Sequence, residues 1–209
     1  MTGQDYIPKD IRKLYKIHDH HHAAAILANE FPVEFSDICE ALRRFRISDL
    51  DIKVSGRKGA VPKKISSVLR PLGWREERLT AKLTVDEKTV TQDTHFVDYL
   101  KGRVAFDVDW DSKDQTFNRD PHAFLSFFEF GKISVGVLLT RSDAVGSYFT
   151  KCGIWRDGYG VERLMKARYG GSTMYMESPL LRLRAGRYKG CPVVVFGIAN
   201  KAVETPKRR

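Results

Sequence analysis

The chain has 209 residues and carries 36 Lys plus Arg against 26 Asp plus Glu, a net charge of +10. That length suits one well-buried domain or at most two small ones, and the charge points to a polyanionic partner, nucleic acid or an anionic membrane surface. No apolar run approaches the ~20 residues that span a bilayer, and the opening MTGQDYIPKD holds no signal-peptide core, so a cytoplasmic protein without a membrane segment is expected.

The first part of the chain reads as helical. Ile17–Phe31 has Ile26, Leu27 and Phe31 at helical intervals and ends at Pro32, and Glu34–Phe45 puts Phe35, Ile38, Leu42 and Phe45 on one stripe. In the run HDHHH, His18 and His22 stand i, i+4 and on a helix could share an ion, but no HExxH frame accompanies them and an exposed helix start is the plainer reading. Lys53–Lys64 (KVSGRKGAVPKK) has two glycines, a proline and five cations, and reads as a loop entering a helix at Pro62. Such a loop is either solvated or binds phosphate, with Lys58, Lys63 and Lys64 as the candidate contacts.

From Arg78 the period changes. Leu79–Val85, Phe96–Leu100, Val104–Trp110, Ile133–Leu139 and Pro192–Ile198 read as strands, and Asp120–Phe130 as a helix with Phe124, Phe127 and Phe128 in a stripe and Gly131 as its stop. This order predicts an α/β fold, a central mixed β-sheet flanked by helices, with the apolar strands Ile133–Leu139 and Pro192–Ile198 at its centre. One domain over 1–209 is expected: a helical part over 1–75, a sheet core over 78–200 and a basic tail over 201–209 that adds only nonspecific attraction. Tyr169–Lys189 joins a loop of Gly170, Gly171, Ser172 and Thr173 to a basic helix with Arg182, Arg184 and Arg187. It is either an amphipathic helix with a solvated face or a reader of DNA, with Ser172, Thr173 and Arg182 as the contacts.

The chemistry gathers between Val97 and Asp120. In Arg103–Trp110 the apolar Val104, Phe106, Val108 and Trp110 alternate with Ala105, Asp107 and Asp109. The turn at Lys101-Gly102 folds the preceding strand back and brings Asp98 toward Asp107. Three carboxylates held together repel one another unless a cation neutralises them. Hard oxygen ligands at a partly open site suit Mg²⁺, which polarises a phosphoryl oxygen and makes a coordinated water more acidic. The competing reading is a solvated strand edge. Lys113 either orients a phosphate or water or is surface charge. Cysteine or serine catalysis and nucleotide-phosphate loops lack their motifs, and Cys39, Cys152 and Cys191, odd in number and without CxxC spacing, are expected to be reduced, mostly buried thiols.

Leu72-Gly73-Trp74-Arg75-Glu76, then Val97-Asp98-Tyr99, Gly102-Arg103-Val104-Ala105, DxD, KDQTFNRD, KISVGVLLTR and GCPVVVFGI together resemble the BglII/BstYI group of type II restriction endonucleases. The likeness covers about residues 53–200 and is specific in the 96–141 block. It implies a restriction-endonuclease-like core of the PD-(D/E)xK superfamily, related to BamHI. It further implies a bacterial or archaeal restriction-modification enzyme that acts as a homodimer with Mg²⁺ on palindromic double-stranded DNA containing GATC.

In that frame Asp98 is the first metal ligand and Asp107 the second, and the carbonyl of Val108 completes the shell. Asp109 takes the place held by Lys in the general motif and by Gln or Glu in this group, while Asp107 stands where relatives often have Glu. Each shorter side chain withdraws its carboxylate by about 1.5 Å, and misplacement of that size can cost ~10²-fold in rate. A catalytically weak or silent sequence-specific DNA-binding protein on the same fold is therefore the alternative, and a structure-selective repair nuclease the next.

Overall fold

The computed structural model describes residues 3–48, 51–52, 59–80, 82–85, 88–91, 95–110, 119–156, 159–165, 167 and 175–203. Ten strands are described: β1 (Tyr15–His20), β2 (Arg75–Leu79), β3 (Lys82–Val85), β4 (Lys88–Thr91), β5 (His95–Lys101), β6 (Val104–Asp109), β7 (Val135–Arg141), β8 (Ile154–Arg156), β9 (Glu162–Leu164) and β10 (Val193–Ile198). Seven helices accompany them: α1 (Lys9–Leu14), α2 (Ala23–Glu30), α3 (Pro32–Arg44), α4 (Ala60–Leu69), α5 (Arg119–Glu129), α6 (Gly146–Lys151) and α7 (Glu177–Arg184). The main sheet is mixed, in the order β1-β10-β7-β6-β5-β2, while β3-β4 and β8-β9 are separate antiparallel pairs.

β10, β7 and β6 run parallel, and their apolar content follows from that placement. Every residue of β7 and β10 is buried, because helices cover both faces of the sheet. On one face, Val104, Phe106, Val137 and Phe196 pack with Ile11 of α1, Leu27 of α2, Leu42 of α3 and Ile65 of α4. On the other, Ala105, Leu138 and Val195 pack with Phe124 and Phe127 of α5 and Leu180 and Leu183 of α7. Burying each phenylalanine contributes about 1.5–3 kcal/mol.

Local chemistry sets the ends of these elements. Gly131, at φ +67°, ends α5, with Lys132 N–H returning to the Phe127 carbonyl at 2.7 Å. Gly102, at φ +54°, lies in the two-residue turn that closes β5 onto β6 through the pair Lys101↔Val104. Among the described residues no helix is long and apolar enough to cross a membrane.

Three expectations are corrected. Residues 17–22 do not begin a helix: β1 pairs antiparallel with β10, Tyr15 opposite Ile198 through His20 opposite Val193. Pairing there covers an apolar strand edge that a helix would leave bare. His18 and His20 therefore share a strand face with their rings 6.5 Å apart, and His21 and His22 form a left-handed turn, so the i, i+4 geometry of His18 and His22 does not exist. Asp19 caps α2 by accepting the Ala24 N–H at 2.8 Å. Next, the tract 79–85 is not one strand, since β2 ends at Leu79 in the main sheet and Lys82 begins the β3-β4 pair. Finally, α7 stops at Arg184, leaving Arg187 beyond it.

Candidate active site

The acidic residues lie where β5 and β6 part. The backbone ladder between these strands runs from Lys101↔Val104 to Tyr99↔Phe106 and stops. β6 continues beside β7 as far as Asp109↔Thr140. Beyond Tyr99, carboxylates replace the ladder. The Asp98 N–H donates to Asp107 Oδ1 at 2.6 Å, and the Val108 N–H donates to Asp98 Oδ2 at 3.2 Å. Each aspartate thus accepts from the backbone of the opposite strand.

The cause is an extra residue in β5. Against β2, Leu100 pairs with Arg75 but Val97 with Glu77, so three steps along β5 face two along β2. A bulge of this kind re-aims a side chain and ends regular pairing. β5 is also held from the α4 side. The Tyr99 hydroxyl lies 2.7 Å from Ser66 Oγ, and Arg70 donates to the Asp98 carbonyl at 3.1 Å with its guanidinium 4.7 Å from the Tyr99 ring centre. Burial pushes the Tyr99 hydroxyl above its ordinary pKa, so it stays a neutral strut.

The site is less open than the alternation suggests. Asp98 and Val108 are half-buried, but Asp107 is 4% exposed and Asp109 3% exposed. Among the described residues, no group of three His, Cys, Asp or Glu side chains converges on a possible metal position. The structure brings Asp98 and Asp107 together, and places Asp109 beside Thr140 of β7. A strand residue presents its N–H and C=O to the same neighbour, so the Val108 carbonyl faces β5, as its N–H does. Two carboxylates and one carbonyl form an all-oxygen donor set. A carboxylate that accepts one N–H keeps further acceptor sites, so this set fits Mg²⁺, which takes one or two carboxylates and completes its shell with water and phosphate.

The described candidate DNA contacts lie on separate elements, α4 and α7. Lys63 is exposed on α4. Lys64 pairs with Asp51 and donates to the Arg46 carbonyl at 2.9 Å, which ties it into the fold. Arg182 is half-buried on α7. Lys58, Lys113, Ser172 and Thr173 lie outside the described residues.

One neighbour escaped sequence reading. Arg141, 1% exposed, follows Thr140 on β7, and its guanidinium lies 5.5 Å from the Trp110 ring centre, 5.8 Å from Phe149 and 5.2 Å from Tyr175. This cation–π cluster anchors Trp110, the residue after Asp109. Its only sequence signal is the polar pair Thr140-Arg141 closing an otherwise apolar run.

A six-stranded mixed sheet with helices on both faces is consistent with a restriction-endonuclease fold. A family model described as restriction endonuclease BglII/BglIII matches residues 15–198, and the chain belongs to this family. No curated protein matches it.

Proposed function

We propose that the chain is a Mg²⁺-dependent type II restriction endonuclease that acts as a homodimer on double-stranded DNA at a palindromic site containing GATC. The observation that carries this reading is the reciprocal pair of bonds between Asp98 and the β6 backbone and between Asp107 and the β5 backbone. These bonds fix two carboxylates at one end of a rigid sheet, the preorganisation a phosphodiesterase needs.

Asp98, Asp107 and the Val108 carbonyl would hold the ion, which when bound neutralises charge on the scissile phosphate and acidifies water. Asp109 orients the attacking water and accepts its proton at a carboxylate oxygen as the new P–O bond forms; the P–O bond opposite it breaks in line, and the leaving oxygen takes a proton from solvent water. Lys63 and Arg182, with Lys58, Ser172 and Thr173, contact the duplex, Lys113 assists at the phosphate, and the net charge of +10 draws DNA to the surface. A twofold dimer reads a palindrome with two copies of one surface, so each subunit cuts one strand.

Incubation of the purified chain with plasmid and Mg²⁺ tests the proposal. Discrete fragments from the native protein and none from Asp98→Ala support it. No fragments from the native protein, or undiminished cutting by the variant, refute it.

A second reading is a catalytically silent DNA-binding protein on this fold. The burial of Asp107 and Asp109 to 4% and 3% exposure favours it. Sequence-specific binding in EDTA without cleavage in Mg²⁺ would select it.

A further inference from the structure

We propose that Thr140 is a positioning residue for the cleavage reaction, its hydroxyl holding the Asp109 carboxylate in place for work on the attacking water. This inference rests on the nuclease reading above.

Thr140 lies on β7, a strand otherwise apolar from Val135 to Leu139. It is fully buried at 0% exposure, and its Oγ1 has no hydrogen-bond partner among the described residues. A buried hydroxyl without a partner lowers stability, and valine would fill the same volume with no polar atom. The fold tolerates the hydroxyl where packing alone would select a hydrocarbon, and such local inconsistencies concentrate at functional sites.

The register names its acceptor. Thr140 stands between Gly197 of β10 and Asp109 of β6, its partners in the two parallel ladders. Gly197 offers no side chain. Strand alternation puts Thr140 on the face of Leu138, the same face that carries Ala105, Asp107 and Asp109 on β6. Adjacent strands lie about 4.8 Å apart, a span that a hydroxyl and a carboxylate bridge when both take rotamers that turn them toward each other, a bond that is not formed in the structure. Thr140 touches neither substrate nor the reacting atoms in this scheme. It acts through Asp109, whose short side chain leaves little freedom to find the water unaided.

The experiment compares native protein, Thr140→Val, Thr140→Ser, Asp109→Asn and the Thr140→Val/Asp109→Asn double variant in single-turnover cleavage of a duplex with Mg²⁺. DNA affinity in EDTA and thermal midpoints are measured alongside. The loss of one hydrogen bond to a charged group predicts a fall of about tenfold or more in the rate for Thr140→Val, with DNA affinity unchanged and the midpoint equal to or above the native value. Thr140→Ser keeps the rate within about threefold, and Thr140→Val adds nothing once Asp109 is Asn, as expected for two groups acting as one unit. Native-rate cleavage by Thr140→Val, a rate loss matched by a lowered midpoint, or full additivity in the double variant overturns the assignment while leaving the nuclease reading intact. A native protein that cuts no duplex overturns both.

Discussion

Replacing Asp107 by Asn and by Ala separates what its carboxylate does for the fold from what it does for chemistry. Both variants remove the buried carboxylate, so the loss of its interactions with its acidic neighbours is common to the two and cancels in their difference. They differ in the bond from the Asp98 N–H to Asp107 Oδ1, 2.6 Å long. The Asn carbonyl oxygen still accepts that donor, whereas Ala leaves it unsatisfied where β5 and β6 part. An abandoned, partly buried donor costs about 1–3 kcal/mol, and the small cavity acts in the same direction. At about 2–4 °C per kcal/mol for a chain of this size, a central value of about 2 kcal/mol puts Asp107→Ala about 4–8 °C below Asp107→Asn in thermal midpoint. Cleavage behaves otherwise: both lose the charge, worth several kcal/mol of transition-state stabilisation, so both fall by about 10³-fold or more. Scanning calorimetry and single-turnover cleavage supply the two readouts. Equal midpoints would count against a structural role for the bond from the Asp98 N–H, and substantial cleavage by Asp107→Asn against a need for the Asp107 charge in cleavage.

Four further outcomes follow from other parts of the molecule. A Cβ at Gly136 would meet the Phe124 ring at 2.8–3.1 Å, so Gly136→Ala lowers stability by about 1–3 kcal/mol through overpacking, measurable by urea denaturation; an unchanged midpoint would contradict the packing described. Burial pushes the thiol of Cys39 up to about 11 and that of Cys191 to about 12, leaving about 10⁻³ or less as thiolate at pH 8. Both should resist a chromogenic disulfide reagent in the native protein and react promptly in urea, and labelling within minutes before unfolding would count against their burial. Burial, with Arg184 adding to it at His18 and the neighbouring imidazoles of His21 and His18 at His20, pushes both histidines below their ordinary 6.5, so the unfolded chain binds protons that the native one resists. Their contribution is complete above pH 6.5 and is lost as pH falls through the lowered native values; the thermal midpoint declines from pH 7 toward 5.5, and less steeply in a His18→Gln/His20→Gln variant. Duplex affinity in EDTA weakens at least tenfold between 50 and 200 mM salt if phosphate contacts from the basic surface dominate, whereas a flat response would exclude that mode.

Much of the fold was legible because its signals are local. The run ISVGVLL marked β7 at the centre of the sheet, whereas PVVVFGI forms β10, inside the sheet but next to its edge strand β1, because β6 takes the other central place; Gly131 and Gly102 marked the ends of α5 and of the β5 hairpin. Asp98 was legible as a partner of Asp107 from the hairpin alone, although the bulge that turns the two carboxylates onto opposite backbones was not, since it depends on pairing with β2. β1 is hidden in the sequence for a similar reason. His18–His22 look like a helix start until β10 offers an antiparallel edge, and nothing within the segment announces a partner so distant in sequence. Thr140 and Arg141 are visible only across β7, where the register sets one beside Asp109 and the packing sets the other among Trp110, Phe149 and Tyr175.

In the proposed function, two aspartates at the parted strands make this chain a site-specific DNA-cleaving enzyme. Digestion of a sequenced genome with the native protein and Mg²⁺, followed by sequencing of the fragment ends, tests it most directly. The ends should all fall at one palindrome containing GATC, with a constant overhang, and the DNA should stay intact when Asp98→Asn replaces the native protein. Ends scattered without a common sequence, or no ends at all from native protein that binds duplex specifically, would contradict it.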